Sequence, residues 1–121
     1  MNYEFKILTL SNDASFSISL ATECNKYGFS LIFIDDKTDI ENEIDNNVIA
    51  VALFDLSDNM LNSYEFGEKM KSDYGIPIFG LLNEFDKNIQ KKARDHSFDL
   101  IFTKKMLLKS IKEVVIHVSK E

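Results

Sequence analysis

Apolar residues recur along this chain in two alternating rhythms, short continuous runs and stretches spaced by three or four, which together predict five strand–helix pairs. Residues 5–10 (FKILTL) read as the first strand, and Ser11, Asn12 and Asp13 supply capping side chains for a helix that runs to Tyr27. Phe16, Leu20, Cys24 and Tyr27 share one face of that helix, and Gly28 suits its end, where a positive φ is tolerated. Residues 29–34 read as the second strand. Thr38 followed by Glu41 has the spacing of a capping box and opens a short helix with Ile40 and Ile44 inward. Residues 48–54 (VIAVALF) form an unbroken apolar run, the pattern of a strand buried on both faces, and Asp55 ends it.

The second half repeats the alternation. A helix over residues 62–74 carries Phe66 and Met70 inward, with Gly67 weakening it by roughly 1 kcal/mol relative to Ala. Residues 76–82 form the fourth strand, with Pro77 near its start, where a missing N–H is best tolerated. Phe85, Ile89 and Ala93 mark the fourth helix, and residues 100–103 the fifth strand. Leu107, Ile111, Val114 or Val115, and Val118 give the last helix its apolar face. Strictly alternating units of this kind imply a parallel sheet with right-handed crossovers and helices on both faces.

Composition narrows the function classes. The 121 residues, 45% of them hydrophobic, fit one domain (1–121) with a single core. No run approaches the roughly 20 apolar residues of a membrane span, and MNYEFKILTL lacks a signal pattern, so a cytoplasmic protein is expected. A net charge of −6 opposes binding to nucleic acid phosphates. The small basic cluster of Lys87, Lys91, Lys92 and Arg94 is diluted by Glu84, Asp86 and Asp95 and reads as a solvated helix face. Cys24 is the sole cysteine and reads as core, while His96 and His117 have neither nucleophile nor metal partner nearby in sequence. The set needed for hydrolysis is not found, and LSNDASFS lacks the glycine of a flavin phosphate loop.

What remains is Asp55 after VIAVALF and Lys104 after DLIFT, at the carboxyl ends of two strands, where such a sheet gathers its functional residues. With KILTLSN, VALFD, IPIFGLLN and FDLIFTKK in that order, and NSYEF following Asp55, essentially the whole chain resembles the receiver domain of two-component response regulators. The resemblance implies an α/β flavodoxin-like fold, a single (βα)5 doubly wound sandwich whose five-stranded parallel sheet has the order 2-1-3-4-5. It places the phospho-accepting aspartate at Asp55 and the phosphate-pairing lysine at Lys104. It also places the family's magnesium-holding acidic pair on Ser11 and Asn12, its switch hydroxyl on Leu82, its switch aromatic on Ile101, a glycine on Ser63 and a proline on Lys105.

Those replacements decide the expected chemistry. Magnesium binds through carboxylates and waters in near-octahedral geometry, so Ser11 and Asn12 in place of two acids should weaken its site strongly. Asp55 with Lys104 makes a neutral pair that needs no cation, and a direct ion pair bracing the strand ends is expected. Any residual magnesium site would use Asn12, Asp13 and Asp55. For Asp13 this requires the first loop to shift by a residue, whereas a role at the helix start requires no shift.

The expectation is therefore a pseudo-receiver, a bacterial signalling module with no cofactor and no ordinary enzyme activity. The alternative is a working receiver that uses magnesium and is phosphorylated on Asp55 in a phosphorelay. By the resemblance, a protein partner (histidine kinase, regulator or output protein) or a second copy would dock on helix four, strand five and helix five, around Ile89, Ile101 and Leu107.

Overall fold

Residues 6–35, 37–46, 48–58 and 62–119 are described by a computed structural model, and parallel pairing joins five strands into one sheet of order β2-β1-β3-β4-β5. The strands are β1 (Lys6–Leu10), β2 (Ser30–Phe33), β3 (Ile49–Asp55), β4 (Ile78–Leu82) and β5 (Leu100–Thr103). Between and after them lie α1 (Ala14–Lys26), α2 (Ile40–Asn46), α3 (Ser63–Tyr74), α4 (Lys87–Asp95) and α5 (Lys104–Ser119). The fold class and strand order expected from the sequence are those observed. Among the described residues no helix is long and apolar enough to cross a membrane.

Successive strand residues point to opposite faces, and the core divides accordingly. Ile7, Val51, Leu53, Phe79 and Leu81 face α1 and α5, where they meet Phe16, Leu20, Cys24, Leu107, Ile111 and Val115. Leu8, Ala52, Phe54 and Ile78 face the other way, toward Met70 of α3 and Ala93 of α4. β3 lies at the centre of the sheet, which explains its unbroken apolar sequence. Cys24 is buried, and loss of hydration pushes its thiol up to about 11, consistent with a core role.

Several boundaries move for local reasons. Residue 5 lies outside the described residues, β2 is shorter than the run of residues 29–34, and Val48 is exposed ahead of β3. Asp39, not Thr38, accepts the backbone N–H of Asn42 at the start of α2, while Thr38 hydrogen-bonds Asp35. Pro77 precedes β4. Phe85 is not on α4: Asp86 caps that helix by accepting from the N–H groups of Asn88 and Ile89, leaving Phe85 outside and 61% exposed. At α1 the capping side chain is Asp13, and Gly28 has φ +74° just past the helix end.

Gly67 shows propensity yielding to packing. A Cβ there would lie 2.7 Å from Phe98 Cζ, and Phe98 is itself wedged edge-on against Phe54. The helix gives up about 1 kcal/mol of propensity to let α3 approach that aromatic layer.

Candidate functional site at the carboxyl ends of the strands

Parallel strands all end on one side, and the chain leaving β1, β3, β4 and β5 converges there on Asp55, the last residue of β3. Asp55 is 1% exposed. Its Oδ2 lies 2.8 Å from Lys104 Nζ and accepts a 2.8 Å hydrogen bond from Ser11 Oγ. Its Oδ1 accepts the backbone N–H of Ser57 at 2.9 Å, and its carbonyl oxygen accepts the hydroxyl of Ser63 at 2.7 Å. Ser57 continues outward, because its Oγ accepts the backbone N–H of Asn83 at 2.8 Å and so ties the loop after β3 to the loop after β4.

Lys104 is the first residue of α5, with Thr103 Oγ1 accepting the N–H of Met106 to cap the helix. A cation at a helix N-terminus opposes the helix dipole, so carboxylates must hold it there. Two do: besides Asp55, Asp13 Oδ2 lies 3.0 Å from Lys104 Nζ. Asp13 simultaneously caps α1, its Oδ1 accepting the N–H of Phe16 at 3.1 Å. Asp13 thus caps α1 as expected and also reaches the pocket through Lys104, without displacing the helix start.

The electrostatics follow the contacts. The Phe16 N–H and the Lys104 ammonium hold the Asp13 carboxyl below its ordinary 3.8. Burial alone would lower the Lys104 ammonium, but Asp55 and Asp13 outweigh it and raise it above 10.5. Asp13 therefore adds stability in full above pH 3.8, a contribution lost as pH falls through its lower folded value. The Lys104 contribution is full below pH 10.5 and lost as pH rises through its higher folded value. Thermal unfolding followed from pH 6 down to about pH 2 should show a shallower acid loss in Asp13→Asn than in the parent chain. Equal slopes would mean that Asp13 is not held by Phe16 and Lys104.

A cavity of about 400 Å³ opens beside these groups, lined by Asn12, Asp13, Asp55, Ser57, Asp58, Asn83 and Lys104. Asn12 points its amide at Asp58 Oδ2, 3.2 Å away. The expected Asp55–Lys104 ion pair is present, but with Asp13 and Asp58 beside it the cavity is formally negative, not neutral. Even so, among the described residues no three His, Cys, Asp or Glu side chains converge as a metal site. Ser11 and Asn12 offer a hydroxyl and an amide where the family has acids, and Lys104 stands between Asp13 and Asp55.

Leu82 and Ile101, expected from the resemblance at switch positions, belong to the apolar layer beneath α3 and α4. Leu107 is 0% exposed within the α1–α5 core, which removes it from the docking surface expected around it. Its chain neighbour Met106 is 57% exposed. Ser57, Asp58 and Asn83 went unrecognised in the sequence, since loop closure rather than residue type brings them to Asp55.

No protein-family model matches the sequence, and no curated protein matches it either. Solved structures do. A two-component response regulator from Clostridium difficile superposes with a TM-score of 0.80 at 14% identity, covering 98% of each chain. A CheY-like response regulator receiver domain protein from Methanospirillum hungatei JF-1 gives 0.73 at 18% identity, again over 98% of each chain. The signal receiver domain of an HD domain-containing protein from Pseudomonas fluorescens Pf-5 gives 0.76 at 12%, covering 99% of this chain and 93% of that one. At such identities the likeness establishes the fold, that of response regulator receiver domains.

Proposed function

We propose that this chain is a receiver-like module of a bacterial two-component or related signalling pathway, acting in the cytoplasm by binding protein partners, without efficient Mg²⁺-dependent phosphotransfer. The observation that carries this reading is the state of Asp55 Oδ2, held at once by Lys104 and by Ser11. An ionised carboxylate oxygen has two acceptor positions, and both are filled there, while Oδ1 takes the Ser57 N–H. Attack on a phosphoryl group would have to break one of these bonds in a pocket without the acids that hold the charge-neutralising metal. Leu82 offers no hydroxyl to a phosphoryl oxygen, and Ile101 no ring to reorient, so the family's route to an output surface is missing as well.

Incubation with phosphoramidate and Mg²⁺, followed by intact-mass measurement, should give no phosphoryl adduct, with Asp55→Asn as the matched control. A stoichiometric adduct absent from Asp55→Asn would establish the second reading, an active receiver using Asn12, Asp13 and Lys104. One observation favours that second reading: Asp13 does reach the pocket, and Asp58 lies there too.

The partner face on helix four, strand five and helix five remains part of the proposal, recentred. Phe85 before α4, Leu100 of β5 and Met106 of α5 are its exposed apolar side chains, with Ile89 and Ile101 half-buried among them. A histidine kinase, an output protein or a second copy of this chain would meet these side chains.

A further inference from the structure

A second cavity shares no residue with the Asp55 pocket. It is a groove of about 530 Å³ between α2 and α3. α2 is only seven residues long and none of its side chains is fully buried, though Ile40 and Ile44 pack against the core. The floor is apolar: Met70 is buried at its base, with Ile40 and Phe66 half-buried on either side. A thioether adapts its shape to whatever packs on it, and an aromatic wall gives large contact area at low entropic cost.

The rim has the opposite character. Asp39, Glu41 and Glu65 face the groove against one cation, Lys69. Tyr74 also lines the groove, and loss of hydration together with the charges of Glu41, Asp73, Asp45 and Asp39 holds its hydroxyl above the ordinary 10.0. An aromatic face beside several carboxylates is suited to a Lys or Arg side chain, which gains from the ring and from the charges together. An acidic partner would meet repulsion on the same rim.

We propose that the α2–α3 groove docks a basic amphipathic segment of another protein, seating an apolar side chain on Met70 and Phe66 and setting Lys or Arg beside Tyr74, Glu41 and Glu65. The mode is a helix or short segment laid into a groove, with apolar anchors for affinity and rim charges for selection. It does not depend on the reading of Asp55 and stands whether or not that residue accepts a phosphoryl group.

The test is an amide NMR titration of the full chain with a helical peptide of leucine and lysine, against a matched peptide of leucine and glutamate. Saturable shifts confined to Ile40–Asn46 and Ser63–Tyr74 are expected with the first peptide and none with the second. Affinity should fall about tenfold in Glu41→Lys/Glu65→Lys, in line with two reversed rim charges. It should hardly change in Asp95→Lys/Glu113→Lys, which alters net charge equally on exposed helix positions away from the groove. Should charge reversal unfold α2, the neutral pairs Glu41→Gln/Glu65→Gln and Asp95→Asn/Glu113→Gln make the same comparison. Equal losses in the two variants would reduce the effect to net charge and overturn the proposal. So would equal binding of both peptides, shifts centred on another face, the absence of saturation, or self-association of the chain through the groove.

Discussion

Replacing Lys104 with Met should destabilise the protein by about 3 kcal/mol or more, the largest effect expected of any change at the site. Asp55 and Asp13 each place a carboxylate oxygen within 3.0 Å of the Lys104 nitrogen, and Asp55 is all but inaccessible to water. Removing the cation leaves two like charges facing each other, one of them buried, and the hydrogen bonds from Ser11 and the Ser57 N–H compensate only in part. Asp55→Asn alone should cost less, about 1–2 kcal/mol, because Lys104 keeps its contact with Asp13. The double variant Asp55→Asn/Lys104→Met should recover much of the Lys104→Met loss. Urea unfolding of the four chains measures the coupling directly. Additive losses would show that the ion pair does not brace the strand ends.

A loss of about 2–5 kcal/mol is likewise expected for Leu107→Ala, since the side chain is fully enclosed between α5 and the sheet with Ile111, Val115 and Phe79 for neighbours. Met106→Ala, one residue away and on the solvent side, should change stability by no more than about 0.5 kcal/mol. The pair separates core from surface on one helix turn. A mild Leu107→Ala together with a severe Met106→Ala, read from urea midpoints, would mean that α5 is rotated about its axis relative to this account.

Leu107 also shows how far the sequence could be read. Its spacing with Ile111 and Val115 marks it as core, and a docking role transferred from the family to the same residue is incompatible with that burial. The burial of β3 on both faces was legible, because a run such as VIAVALF is satisfied with helices on both sides, whereas the strand order came only from the resemblance. Asp55 and Lys104 were legible as strand ends. Ser57 and Asn83 were not, for their part in the site depends on two loops meeting so that a hydroxyl accepts a backbone N–H, a relation no residue type encodes. Asp13 was visible as a helix cap, yet whether its second oxygen reached Lys104, 91 positions away, depended on the arrangement of the strand ends. Phe85 misled by helical spacing alone: the Asp86 cap begins α4 one step later and turns the ring out to solvent.

The central claim is that Asp55 is held by Lys104 and Ser11 in a pocket that does not carry the phosphoryl chemistry of the receiver fold. An amide NMR titration with Mg²⁺, followed by beryllofluoride as a phosphoryl mimic, tests it most directly. The account predicts no localised, saturable shifts at Asn12, Asp13, Asp55 or Lys104 at millimolar Mg²⁺, and no response of α4 to beryllofluoride. Saturating shifts at those residues that then spread through Ser57 and Asn83 into α4 would contradict it and establish a working phospho-receiver.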